Sequence, residues 1–135
     1  MKKATLFLTA AATLLAAPAM AAPRLTPEQQ LAKAIEGRVA GKPVDCIDPH
    51  FNSNTRIIDK TAIIYGSGRT IYVNRPDNAN SLRDDDVLVT ELRGSGQLCS
   101  IDVVKLHDRN GLWNRGFVSL GKFVPYTRVN PAKDE

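Results

Sequence analysis

Ala62-Ile63-Ile64-Tyr65-Gly66-Ser67-Gly68-Arg69-Thr70-Ile71-Tyr72-Val73-Asn74 reads as two short β-rich runs joined by a glycine-bracketed turn. β-Branched and aromatic residues suit a pleated, half-buried surface, and glycine supplies the positive φ that a tight reversal demands. The spacing predicts a hairpin pairing the strand that ends at Tyr65 with the one that begins at Thr70. Tyr65 and Tyr72 then lie on neighbouring strands, either as a surface aromatic rung or as part of the core.

The same pattern extends in both directions. Val44–Ile47, Arg56–Ile58, Val87–Leu92, Leu98–Leu106 and Gly116–Val124 are further strand candidates. Asp59-Lys60, Gly94-Ser95-Gly96 and Asp108-Arg109-Asn110-Gly111 carry the chemistry of reversals. Pro76 to Asp86, with two asparagines and three consecutive acids, reads as an exposed loop. Strands at this spacing, without helices between them, argue an antiparallel sheet curled into a small barrel or sandwich. Along Leu98–Leu106, alternation sets Cys99, Ile101 and Val103 on one face and Ser100, Asp102 and Val104 on the other, as in a central strand. Asp102 would then stand among aliphatic neighbours and need an arginine, Arg56 or Arg115, or turn N–H groups as its partner.

One helix precedes the sheet. Thr26-Pro27-Glu28-Gln29 offers an N-cap, proline where its missing N–H costs nothing, and a glutamine to close a capping box. Leu31, Ala34, Ile35 and Val39 form an apolar stripe, and Gly41 and Pro43 stop the helix. A helix this short is marginal alone, so its stripe must pack on the sheet. The expected class is mainly β (α+β), with one N-terminal helix on a small antiparallel barrel or sandwich. Residues 1–21 form a leader, 22–42 the helical segment, 43–126 the β-rich domain and 127–135 a tail.

The leader reading comes from Met1-Lys2-Lys3, an uncharged Ala- and Leu-rich run to Ala17, and the small triplet Ala19-Met20-Ala21. The run is too short to span a bilayer, so cleavage after Ala21 and a periplasmic or secreted bacterial product without stable membrane insertion are expected. The 135-residue chain carries a net charge of +4, and loss of Lys2 and Lys3 leaves 16 basic against 14 acidic residues. A near-balanced, mixed-sign chain argues against a nucleic-acid partner. The chain's two cysteines, Cys46 and Cys99, meet an oxidising compartment after export and are expected to pair.

Cys46-Ile47, Arg56-Ile57-Ile58-Asp59, Ala62–Tyr65, Tyr72-Val73-Asn74, Leu98-Cys99 followed by Asp102, and Leu120-Gly121 with Phe123-Val124-Pro125-Tyr126 together resemble a group of small exported bacterial proteins of unknown function. The resemblance spans roughly Gly41 to Tyr126. It implies an exported domain with Cys46 and Cys99 paired, and carries no activity to any position.

Catalytic chemistry finds little support. A hydrolase needs a nucleophile, a base and an orienting acid within reach, and His50 and His107 are the only histidines. Gly116-Phe117-Val118-Ser119-Leu120-Gly121 misses the nucleophile-elbow spacing and lies in a strand-like run. Asp84-Asp85-Asp86 and the Asp45, Asp48, His50 group offer oxygen and imidazole donors, but neither has the alternating loop that organises calcium. Neither metal nor cofactor is expected. The preferred reading is a non-enzymatic binding or interaction module that meets an unknown protein or envelope component. Trp113, Arg115 and Tyr126 are its candidate contacts, and Trp113 either stands out as an anchor or folds back as a lid. The alternatives are a small hydrolase or enzyme inhibitor using His107, Asp108 and Asp102, and divalent-metal or anionic-glycan binding.

Overall fold

Helix α1 (Pro27–Ile35) starts where the capping signals place it: Thr26 Oγ1 accepts the Gln29 N–H at 3.3 Å and Gln29 Oε1 accepts the Thr26 N–H at 2.9 Å. The computed structural model describes residues 21–130. The expected leader up to residue 20 and the end of the expected tail, 131–135, lie outside the described residues. The helix is shorter than its apolar stripe suggests. Gly37, at φ 70°, reverses the chain after Glu36, and Val39 falls in strand β1 (Arg38–Ala40) instead of on the helix.

Among the described residues nine further strands follow: β2 (Cys46–Ile47), β3 (Thr55–Ile58), β4 (Ala62–Tyr65), β5 (Thr70–Asn74), β6 (Val87–Thr90), β7 (Leu98–Cys99), β8 (Val103–His107), β9 (Asn114–Ser119) and β10 (Phe123–Arg128). A 3-10 turn, Ala79–Ser81, interrupts the loop between β5 and β6. The class is α+β, mostly β, and every strand pair is antiparallel. The sheets do not close into a barrel. They remain separate, in the orders β1-β10-β5-β4-β3, β2-β7 and β6-β8-β9.

The hairpin of β4 and β5 is the centre of the fold. Tyr65 stands opposite Tyr72, as its spacing requires, and all four residues of β4 are buried. Burial on both faces follows from strand alternation. Ala62, Ile64, Ile71 and Val73 join Leu31 of α1 in a cluster on one face. Ile63 and Tyr65 join Leu98, Val104, Leu106 and Phe123 on the other, so the five- and three-stranded sheets share this second core. Tyr65 meets the Phe123 ring edge to face at 5.7 Å, which settles its role as core. Burial holds the Tyr65 hydroxyl protonated well above the usual phenol range.

Two expected strands are each divided. Gly116–Val124 breaks at Leu120-Gly121, where the fully buried Asn74 side chain donates to the Gly121 carbonyl at 2.6 Å and accepts its N–H at 3.0 Å. A Cβ at Gly121 would stand 2.8 Å from the Arg75 carbonyl, so the corner admits only glycine. β10 then runs on to Arg128, two residues beyond the expected end of the domain. The second division, within Leu98–Leu106, creates the turn described below.

The helix is also tied to the end of β5. Arg75 grips Glu28 with two parallel bonds, Nη1 to Oε1 at 2.9 Å and Nη2 to Oε2 at 3.0 Å. The hydrogen bond from Arg75 holds the Glu28 carboxyl below the ordinary glutamate value. A depressed carboxylate stabilises the fold above its unfolded pKa and ceases to do so as pH falls through its folded one. In an NMR titration, Glu28 is therefore expected to protonate at lower pH than a free glutamate, and Arg75→Gln is expected to raise its midpoint. An unchanged midpoint in Arg75→Gln refutes the assignment.

Candidate functional site

Asp102 is held in a turn. Its Oδ2 accepts the Cys99 N–H at 2.8 Å while its own N–H donates to the Cys99 carbonyl at 3.0 Å. This closes Ser100-Ile101-Asp102 into a reversal between β7 and β8, and Ile101 is left 90% exposed. The uninterrupted strand expected over Leu98–Leu106 is thereby corrected: aspartate supplied the local bonds that compete with a strand ladder. A turn N–H group, that of Cys99, rather than Arg56 or Arg115, is the partner of the carboxylate. Just before the turn, Cys99 faces Cys46 across the β2–β7 pair, and the two are joined by a disulfide with an S–S distance of 2.06 Å.

The groups considered for hydrolysis are each engaged elsewhere. His107 Nδ1 donates to the Leu112 carbonyl at 2.7 Å, and among the described residues its buried Nε2 has no partner. Asp108 Oδ1 accepts the N–H groups of Asn110 at 2.8 Å and Gly111 at 3.3 Å, which shapes the β8–β9 hairpin loop. Asp102 immediately precedes β8 and His107 ends it, so the strand holds them roughly 17 Å apart at its usual rise per residue. Among the described residues no three His, Cys, Asp or Glu side chains gather as a metal site. In the second acidic group, Asp48 Oδ1 accepts the His50 N–H at 2.8 Å, an ordinary turn contact.

The three expected contact residues occupy three different surroundings. Arg115 is drawn inward: Nε lies 3.2 Å from Asp86 Oδ1, and Nη2 donates to Oδ2 at 3.4 Å. Asp86 Oδ2 also accepts the Arg83 N–H at 2.9 Å, and only 2% of the Asp86 side chain meets solvent. Arg109 fastens the hairpin loop to the same acidic stretch by donating to the Asp85 carbonyl at 3.1 Å. Tyr126 belongs to the five-stranded sheet and packs against the helix-side cluster. Trp113 remains in the hairpin loop, with its ring seated where a Cβ of Gly111 would stand, and is 58% exposed. It folds onto its own loop rather than capping the core.

A surface that sequence reading did not isolate lies beside this loop. Alternation turns Val104, Leu106 and Val118 into the core and leaves Val89, Val103 and Phe117 outward on the three-stranded sheet. Lys105 stands between Val89 and Phe117 in the register and pairs with Glu91. Phe117 is 55% exposed, and Leu112 beside Trp113 is 63% exposed. Phe117 was hidden in an apolar run whose inward and outward members could be told apart only after Gly121 had broken it. Among the described residues no helix is long and apolar enough to cross a membrane. Comparison with protein-family models, curated proteins and solved structures returns no match to this chain.

Proposed function

We propose that this chain is an exported, non-enzymatic binding module that meets a protein or envelope component through the outer face of its three-stranded sheet and the adjoining Trp113 loop. The observation that carries the reading is an apolar face left open among the described residues: Val89, Val103 and Phe117 stand outward and partly exposed on the three-stranded sheet, and Trp113, folded on its own loop at the sheet's end, is 58% exposed beside them. Large aromatic side chains on an open surface are the residues that anchor protein interfaces. The disulfide supports export, because such bonds persist in oxidising compartments. The separate engagement of Asp102, His107 and Asp108 supports a role without catalysis.

The test is cross-linking in intact cells of the source organism, comparing the native chain with a Trp113→Ser, Phe117→Ser variant whose fold is checked by circular dichroism. Both positions are exposed, so the variant is expected to fold and to lose its cross-linked species at least tenfold. Undiminished cross-linking would remove this face as the contact surface. N-terminal sequencing of the protein from the periplasmic fraction is expected to begin at Ala22; retention of an uncut chain in the cytoplasm would overturn the export reading.

A further inference from the structure

Two open sheet edges line one groove. The five-stranded sheet ends at β3 and the three-stranded sheet ends at β6. Thr55, Arg56 and Ile57 of β3 line a cavity of about 600 Å³ together with Val87 and Leu88 of β6. Thr55 and Leu88 also line a second cavity of about 190 Å³, together with Tyr65 and Leu98. Among the described residues, positions 55–57 make backbone bonds only to β4, and positions 87–90 only to β8. The outer edge of β3 therefore presents main-chain donors and acceptors without a strand to receive them. Tyr65, which lines the second cavity, is 4% exposed, and among the described residues its buried hydroxyl has no partner.

The two faces of this edge differ in charge. Ile57 packs on the core between the sheets and Ile58 on the helix-side core, so alternation sends Thr55 inward and Arg56 toward the helix. On that helix side, Arg56 shares a cavity of about 620 Å³ with Arg24, Lys33 and Gln30, and no acidic residue lines it. None of these three cations belongs to an ion pair among the described residues. The acids of the groove lie on the β6 side, where Arg115 already neutralises Asp86 and Asp84 remains.

We infer that the edge of β3 receives an extended segment of a partner protein, which adds as a sixth strand with alternating acidic and apolar side chains. Main-chain bonds to β3 supply the register, as in other strand-addition complexes. Acidic side chains on one face of the segment meet Arg56 and the basic surface around Lys33 and Arg24. The intervening apolar side chains turn inward over Leu88 and the cavity that Tyr65 lines. This site is separate from the Phe117 face, and the two are tested by different substitutions.

The probe is a fluorescein-labelled octapeptide of alternating glutamate and valine flanked by threonine, followed by anisotropy and by amide chemical shifts of the labelled protein. Saturable binding that shifts the amides of Thr55, Arg56 and Ile57 is expected. N-methylation of alternate peptide nitrogens, which blocks strand pairing, is expected to weaken it at least tenfold, as is exchange of glutamate for lysine. Arg56→Glu is expected to weaken the acidic peptide at least tenfold and to favour the lysine version, whereas Trp113→Ser, Phe117→Ser leaves binding unchanged. No saturable binding, equal binding of the N-methylated peptide, or indifference to Arg56→Glu would overturn the inference. So would an Arg56→Glu protein that only self-associates while binding the peptide as before, because Arg56 would then serve to blunt the edge.

Discussion

Replacing Cys46 and Cys99 together by serine is expected to lower the free energy of unfolding by about 4 kcal/mol and the thermal midpoint by roughly 15 °C. The bridge joins residues 53 apart, and most of its effect comes from the conformations it denies the unfolded chain. The folded state adds a second reason. β2 and β7 pair over just two residues each, too few to hold themselves, yet Ile47 and Leu98 of that small sheet are part of the core between the larger sheets. Without the covalent link, the segment carrying Ile47 is expected to detach before the rest. Guanidinium denaturation of the native and doubly substituted proteins measures the difference. Coincident midpoints would mean that the bridge contributes nothing to stability.

The second large effect is expected at the buried ion pair that ties β9 to the turn before β6. Arg115→Met leaves Asp86 with one backbone N–H donor and almost no water, and removal of one partner from a buried pair costs about 3 kcal/mol or more. Asp86→Asn is expected to cost less. An asparagine oxygen still accepts the Arg83 N–H, and the Arg115 side chain, 14% exposed, has some access to solvent. The double variant is expected to be milder than the sum of the two single ones, because neither charge is then stranded. Additive losses in a denaturation cycle would show that the two side chains do not act as a pair.

Much of the local structure was legible in the chain. The capping box at Thr26 and Gln29, the glycine-bracketed hairpin and the pairing of the two cysteines are present where the residues suggested. Each signal acts over a few residues or, for the cysteines, depends on a count. The errors have equally local causes. Val39 continued the helical stripe in sequence, but Gly37 had already turned the chain. Leu98–Leu106 contains neither glycine nor proline, so its break rested on one side chain, that of Asp102, bonding back to its own turn. Gly121 was seen in the chain but not as a corner, because the asparagine that clamps it stands 47 residues earlier.

The candidate site was less legible. Trp113 could be singled out by composition and is exposed, whereas Arg115 and Tyr126 looked equally available and are taken up by Asp86 and by the helix-side core. Nothing in a linear pattern distinguishes an arginine that finds a buried acid from one that finds none. Arg56 and Arg115 are alike in type, one opening an expected strand and the other standing just before one. Their difference arises because β3 is an edge, while β9 carries Arg115 to the one acid that the Arg83–Asp86 turn presents inward.

The sequence by itself determined the class of the fold, the start of its helix, its central hairpin and its covalent staple. These depend on backbone preferences, hydrogen bonds within a turn and the chemistry of two thiols. Only the tertiary structure decided how the ten strands of the described residues divide into three sheets, which edges remain open and which charges are consumed. Those outcomes depend on strands distant in the chain competing for the same edges and the same core, as when β10 inserts between β1 and β5 and leaves β3 outermost. A periodicity of two tells a residue which face it shares, but the partner on that face is chosen by packing.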